Sequence, residues 1–573
     1  MMKKILTLVF AITALISTTA FAVTYIQSPP LSQILTTPAS QVKPGPETSL
    51  PIITWGADIA AIFANGCSLA TSSESIFAKK GLRLKIVRQD DFKKQLESYI
   101  KGETPFLRGT MGMINLASEV LNRDQRTRPV IVYQLSWSNG GDNVVTREGI
   151  NSVQDLKGRT IALQAYGPHI DYLTTLLKDA GLTVKDVKIK WTKDLTGTEE
   201  CPAEAFLSDK DVDAAFVITP DALKLTSGGK VGTGSEGSVR GARILLSTKT
   251  ANRIIADVYA VRSDYFQAHR QDIEAFTHAL MLAEQEVRDL FRSRETKKAD
   301  YKRMISAAAK ILLDSDQAIA DTEGLYADGE TAGFASNVKF FTDDNWPRNF
   351  NKLTDEIQTS FISLGMLTRK FPLEQARWDY APFKAGLKGT DAVELPKFNA
   401  ATVAQVVAQK QATGSLTAGA LFSFEVYFKP NQNSFVPEMY ASSFDDAIKK
   451  ATTYSGAVIT VEGHSDPLGY LKKKKEGSPE IVLTQQKQAA KNLSVQRAMA
   501  VRDALIQYAT AKGISLDQSQ FTVVGHGIGL PRTGMCGGEP CPPKTEQEWL
   551  SNMRVVFQLF NVEAEENVFS PMK

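Results

Sequence analysis

Charge of one sign is what this chain most plainly lacks. Its 573 residues carry 66 Lys and Arg against 63 Asp and Glu, a formal net charge of +3, which leaves no electrostatic footprint for nucleic acid. Cysteine is scarce, four in all, and no two stand in a C-x-x-C pair, which disfavours thiol redox chemistry and a zinc ribbon. The five histidines, His169, His269, His278, His464 and His526, do not cluster at ligand spacing, and no metal or cofactor is expected. Gly-x-Ser-x-Gly, H-E-x-x-H and P-loop signatures are missing, so the chain is expected not to be an enzyme. Beyond the N-terminus no apolar stretch is long enough to span a bilayer.

What is there begins with an export signal. Lys3 and Lys4 precede an apolar run from Ile5 to Ile16, and Ala20 and Ala22 stand in an A-x-A arrangement. Residues 1–22 therefore read as a secretory signal peptide cleaved after Ala22. Weak apolar character continues to Ile26, which leaves an uncleaved inner-membrane anchor as the alternative. Either way the bulk of the chain is expected in the periplasm or cell envelope. Residues 23–50 are rich in Pro, Ser and Thr and read as a flexible tether.

From Pro51 strands and helices alternate. PIITW, LRLKIV and PVIVYQL read as strands, the last a continuous apolar run of the kind found in a parallel sheet covered on both faces. SSESIFAKKGL and DDFKKQLESYIKGE read as helices, the second with Phe92, Leu96, Tyr99 and Ile100 on one face. This alternation predicts an open, wound α/β fold over residues 51–395. In such sheets ligands sit at the carboxyl ends of strands. The lining candidates are Trp55, Gly56, Ala57 and Asp58 after the first strand, and Thr110 and Met111 in GTMGMIN. Ser136, Trp137, Ser138 and Asn139 follow the PVIVYQL strand, Tyr166, Gly167 and Pro168 precede a helix, and Thr219 closes VDAAFVIT. Gly167 and Pro168 would expose backbone N–H groups suited to an anion.

The passage DNVVTREGINSVQDLKGRTIALQAYG, with Ile150, Val153, Asp155, Leu156, Lys157, Gly158 and Ile161, resembles the periplasmic substrate-binding proteins of nitrate, sulfonate and taurine-type ABC importers. The resemblance implies a type II periplasmic-binding-protein fold: two lobes joined by crossover strands and closing on a small solute. One lobe would be Pro51 to about Gly141 plus the chain after about Ile254, and the other the part between. A few enzymes share this fold, pyrimidine synthases of thiamine biosynthesis among them.

Residues 396–420, poor in aromatics, read as a linker that is helical in part. FSFEVYF then opens a second domain, 421–562, followed by a tail, 563–573. VITVEGHSDPLGY alternates as a half-buried strand that must turn at Gly463 to Pro467. NLSVQRAMAVRDALIQY reads as a helix with Ser494 as N-cap and Arg497 in its first turn. An acidic strand tip, Asp466, would thus face a basic helix start. The lysine run Lys472 to Lys475 reads as a solvated loop.

Gly463, His464, Ser465, Asp466 and Gly469, then Leu493, Ser494, Arg497, Ala498 and Val501, resemble the signature of the OmpA-like peptidoglycan-binding domain, an α+β fold of βαβαβ type. Gly525, Gly527 and Pro531, and Asn552, Arg554 and Val555, match its later turn and final strand. Met553 stands where that family has an arginine. The resemblance implies that Asp466 receives the ammonium of the diaminopimelate stem peptide and Arg497 its carboxylate, within a site including His464, Gly469, Asn552 and Arg554. One charge of each sign suits a zwitterion, and arginine offers a planar fork.

In an exported chain four cysteines suggest disulfides. Cys536 and Cys541, close together in a Gly/Pro loop, are the expected pair; Cys67 and Cys201 are either a second pair or two free thiols. The whole reads as a solute-binding module fixed to the cell wall, with a possible ABC permease as partner. The alternative is a wall-tethered sensor or scaffold whose middle domain docks a protein.

Overall fold

The computed structural model describes residues 23–235, 237–390, 398–412 and 420–560. The expected signal segment 1–22, the tail 563–573 and the connector residues 413–419 lie outside them.

Among the described residues eighteen strands make the sheets. β1 (Thr48–Ile52), β2 (Leu84–Arg88), β3 (Phe106–Thr110) and β4 (Pro129–Ser138) belong to the first lobe. β5 (Asp142–Thr146), β6 (Thr160–Gln164), β7 (Lys188–Thr192), β8 (Ala214–Ile218) and β9 (Arg243–Ser247) make the second. β10 (Ala256–Arg262), β11 (Gly329–Thr331) and β12 (Glu374–Gln375) return to the first. β1 and β2 pair in parallel, and β11-β4-β10-β3 form the main sheet of lobe one, with β12 against β4. Lobe two is ordered β7-β6-β8-β5-β9. The chain crosses between lobes twice, at 139–141 and at 248–255.

Local sequence explains the elements. All ten residues of β4 are buried, as a continuous apolar run covered on both faces requires, but the expected parallel sheet is not what it joins: β4 pairs antiparallel with β10 and β11, and parallel only with the two residues of β12. Asp91 caps the helix Phe92–Ile100 by accepting from the Lys93 and Lys94 amides, and Phe92, Leu96, Tyr99 and Ile100 bury its inner face. Ser75 caps Ile76–Lys79 in the same way, and Gly81, at φ +78°, supplies the left-handed turn beyond that helix.

Residues 23–50 are not a free tether. Tyr25 donates to Asp209 at 2.6 Å, Ile26 N donates to the Trp191 carbonyl, and the Pro29 carbonyl accepts from Tyr166, all on lobe two. Leu31 and Leu35 are then buried against lobe one, where the carbonyls of Leu35, Ala39 and Ser40 accept from Arg123, Arg126 and Arg262. Between these contacts Leu31–Ile34 form one helical turn, and residues 43–47 are exposed. The segment straps one lobe to the other.

The C-terminal unit consists of β13 (Ala420–Tyr427), β14 (Val458–His464), β15 (Phe521–Gly527), a small hairpin of β16 (Met535–Cys536) and β17 (Glu539–Pro540), and β18 (Arg554–Phe560). Its sheet is ordered β13-β18-β14-β15, with only β14 and β15 parallel. A 32-residue helix, Glu480–Ala511, packs Ala498, Val501 and Leu505 on it. Gly463 permits the close approach, since a Cβ there would fall 1.8 Å from the Ser494 carbonyl oxygen. The helix Ala400–Ala412, within the expected linker, covers the other face, packing Val403 and Val407 with Val458 and Val524.

Two expectations are corrected here. Lys472 to Lys475 form the last turns of a helix, Leu468–Lys475, rather than a loop. The next helix begins at Glu480, so Ser494 is mid-helix and not an N-cap. Its hydroxyl donates to the Lys491 carbonyl and accepts from Gly527 N. Good helix formers between Glu480 and Asn492 carry the helix back by some four turns from the expected start. The Cys536–Cys541 disulfide is formed, whereas Cys67 and Cys201 are free thiols.

Candidate functional site

Two sites follow from the sequence, the inter-lobe cleft and the turn at Asp466. The cleft is closed and polar. At its first-lobe wall Trp55 Nε1 donates to Ser136 Oγ at 2.9 Å, and Ser136 donates to Asp257. Asp257 also accepts from Arg108 Nη1, while Arg108 Nε and Nη2 fork onto Asp58. Asp58 and Arg108 are 0 % exposed, so Asp58 serves a buried ion pair and does not face a ligand. Burial pushes the Asp58 carboxyl up to about 6 against the pull of Arg108. Ala57 is buried and Gly56 lies against the Leu325 carbonyl, so the helix Ile319–Ala327 covers this strand end. Trp137 is buried edge-on to Phe340 and Trp346. It packs inside lobe one instead of stacking on a solute.

A second cluster sits at the crossovers. Ser138 Oγ donates to Asp142 Oδ2 at 2.6 Å, and His169 Nε2 lies 2.7 Å from Asp142 Oδ1. The hydroxyl and the imidazole share one carboxylate, so His169 is not placed as a base on the Ser138 oxygen. Thr219 accepts from Asn143 and donates to the Gly140 carbonyl. Asn139 Oδ1 lies 3.5 Å from Asn252 Nδ2 across the two crossovers.

The lobes meet where two helix starts face each other. Thr110 caps Met111–Leu121 by accepting from Met113 N, and Pro168 precedes His169–Asp179. Gly167 packs on Gln164, and Tyr166 takes a left-handed φ of +59°. Asp171 of lobe two lies against Gly112 of lobe one, 2.8 Å from where a Cβ would stand. A carboxyl group of the protein itself therefore occupies the first turn of Met111–Leu121, where the helix favours negative charge. Burial pushes Asp171 up to about 8, opposed by Arg348. Asp171 Oδ2 and Arg348 Nη2 are both buried without a hydrogen-bond partner among the described residues. Sequence reasoning missed Arg108 in β3, Asp171 in the helix His169–Asp179 and Arg348 in the turn before Phe350–Ser363, none of which carries a motif.

At the C-terminal turn Asp466 is half-buried. Its Oδ2 accepts from Leu468 N at 2.8 Å, and its Oδ1 lies 3.5 Å from Asn552 Nδ2. Burial raises its carboxyl. Arg497 is close enough to sense that charge but makes no ion pair with it. Only 1 % exposed, it donates to the carbonyls of Gln432, His464 and Lys429. Burial lowers it to about 10. Gly469 is exposed in the first turn of Leu468–Lys475. His464 lies on the opposite face of β14 from the long helix, where burial, Arg554 and His526 push it down to about 2. Arg554 reaches the Leu530 carbonyl at 3.4 Å and Glu425 at 3.5 Å.

Between the two units runs an open groove of 890 Å3. Of its lysines, Lys449 pairs with Glu356 at 2.8 Å and Lys512 with Asp445, while Lys352 donates to the Asn345 carbonyl. Against the upward push of burial, Arg348, Lys449 and Lys178 pull Glu356 down to about 2. Among the described residues no helix is long and apolar enough to cross a membrane.

Residues 70–288 match the sequence family described as NMT1/THI5 like. No curated protein matches the chain. Among solved structures, the periplasmic aliphatic sulphonate binding protein SsuA from Escherichia coli is 16 % identical, with 57 % of this chain and 90 % of that one covered at a TM-score of 0.39. A putative periplasmic sulfonate-binding protein from Methylobacillus flagellatus KT is 16 % identical over 58 % of this chain and 91 % of that one, at 0.38. The desulfurization enzyme DSZB is 20 % identical over 57 % and 95 %, at 0.34.

Proposed function

We propose that the chain is an exported, two-lobed solute-binding protein held in the cell envelope by a C-terminal unit that binds peptidoglycan. The observation that carries the first half is the pair of crossovers joining two α/β lobes that meet at Gly112 and Asp171. Opening about those crossovers would free the start of Met111–Leu121 for a small anion and the Asp171 carboxylate for a cationic group. Arg348, buried beside Asp171, would then complete a polar floor. The NMT1/THI5-like match over residues 70–288 supports this reading, and a permease of ABC type is the partner it suggests. Binding rather than catalysis fits the Ser138–Asp142–His169 order.

For the second half, Asp466 and Asn552 would receive the ammonium of the wall diamino acid. Arg497 would take its carboxylate by exchanging the carbonyls of Lys429 and Gln432, which requires the exposed 429–432 loop to lift. Fixing the binder to the wall would raise its concentration near an envelope partner.

A second reading has its own support: the cleft is filled by the protein's own groups, Asp171 and the helix Ile319–Ala327 among them. On that reading the middle unit docks a protein. Thermal melting against small sulfonates, carboxylates and amines separates the two. A solute that binds raises the melting temperature in proportion to the logarithm of its concentration; no response to any of them, with a co-purified protein instead, would favour docking.

A further inference from the structure

The C-terminal sheet brings together three side chains that the sequence keeps apart. Glu462 and His464 are two residues apart on β14 and so share a face. His526 comes from β15, which pairs in parallel with β14: Gly463 stands opposite Gly525 and His464 opposite Gly527. The register shift between those pairs makes His526 the extra, bulged residue, and its ring stacks on His464 at 4.9 Å. One carboxylate oxygen and one nitrogen from each imidazole all lie within 4.8 Å of one another. The His526 and Glu462 side chains are 4 % and 2 % exposed, so the set is enclosed.

We propose that Glu462, His464 and His526 form a structural site for a divalent first-row transition ion, zinc above all. The donor types are right, since two imidazoles and one carboxylate suit zinc, cobalt or nickel and disfavour calcium and magnesium. Each ligand also has an orienting partner, as metal ligands do. His464 Nδ1 lies 3.0 Å from the Leu530 carbonyl, which fixes its proton there and leaves the Nε2 lone pair for a metal. Thr460 donates to Glu462 Oε1 at 2.7 Å, leaving Oε2 free to bind. Gln411, from the covering helix, approaches His526 Nδ1 at 3.3 Å.

In the metal-free chain His526 Nε2 lies 2.8 Å from Glu462 Oε2, so a proton occupies the place of the ion. Metal binding moves that proton to Nδ1, where the Gln411 amide turns its oxygen to accept it, and His526 ligates through Nε2 as the neutral imidazole. Nearby, Arg532 and Arg554 both lean on Glu425, at 2.6 and 3.5 Å, which offsets one of their two positive charges. The ion would staple β14 to β15 at the end of the strand that carries the Asp466 turn.

The test uses the full chain without a histidine tag, stripped with chelator and titrated with Co2+ and then Zn2+. One equivalent of Co2+ should produce the visible absorption of a four-coordinate ion, zinc should abolish it, and zinc should raise the melting temperature. His526→Gln, which keeps a hydrogen bond to Glu462, should lose both signals, as should Glu462→Gln. If the variants unfold, metal content settles the matter: the native chain should retain one zinc per molecule after dialysis into metal-free buffer. No absorption and no retained zinc, or equal Co2+ binding by native chain and folded variants, would overturn the site and leave a buried histidine–glutamate pair.

Discussion

The Tyr454 hydroxyl donates a 2.9 Å hydrogen bond to the Asp179 carboxylate, joining the C-terminal unit to the second lobe. The next residues grip the second crossover itself. Ser455 Oγ donates to Asn252 at 2.7 Å, Arg253 N donates to the Thr453 carbonyl, and Gly456 N donates to the Thr250 carbonyl. The C-terminal unit thus rests on the segment about which the lobes would open. Gly456→Ala would place a Cβ 1.8 Å from the Lys249 carbonyl oxygen. We expect that variant to separate the units: small-angle scattering should report a larger radius of gyration, and proteolysis should reach the connector sooner, with each unit still folded.

Arg108 holds two buried carboxylates, Asp58 and Asp257. Arg108→Ala would leave both unpaired in the core of lobe one. Breaking a buried pair from one side costs about 3–5 kcal/mol, so the middle unit should melt well below the native protein in calorimetry.

Asp171 gives the closed form a pH dependence. Its carboxyl titrates near 4 when unfolded and at about 8 in the folded chain, because burial outweighs Arg348 and Asp142 adds a like charge. The stability linked to this group is therefore fully present below pH ~4 and lost as pH rises through about 8. Asp171→Asn should remove that loss. Melting curves across pH should show the variant gaining on the native chain from acid to alkaline pH.

The strap over residues 23–43 ties the lobes from outside. Removing residues 23–35 deletes the Tyr25–Asp209 and Pro29–Tyr166 bonds on lobe two and the buried Leu31 and Leu35 on lobe one. Hydrogen exchange at 139–141 and 248–255 should quicken, while the β4 core should stay protected.

Much of the lobe architecture was legible because β4 and the helix Phe92–Ile100 carry strong local patterns, an unbroken apolar run and a capped amphipathic face. The strap was not, because Pro-rich sequence looks the same whether it is free or laid against a surface, and its few apolar residues, Leu31 and Leu35 among them, form no periodic pattern. The Asp466 turn was legible through its motif. The surroundings of Arg497 were not, since the carbonyls that occupy it come from the backbone at 429–432 and 464 and leave no trace in side-chain identity. The histidine cluster was hidden for a related reason: parallel pairing of β14 with β15 joins residues 62 positions apart, and the bulge that turns His526 inward has no sequence mark of its own.

Anchoring to the wall is the claim on which the proposed biology turns, and sedimentation with purified sacculi tests it most directly. The native chain should pellet with sacculi and be released by free diaminopimelate. Asp466→Asn, which keeps the turn but removes the charge, should stay in the supernatant while melting like the native protein. Equal pelleting of both, insensitive to diaminopimelate, would contradict the account.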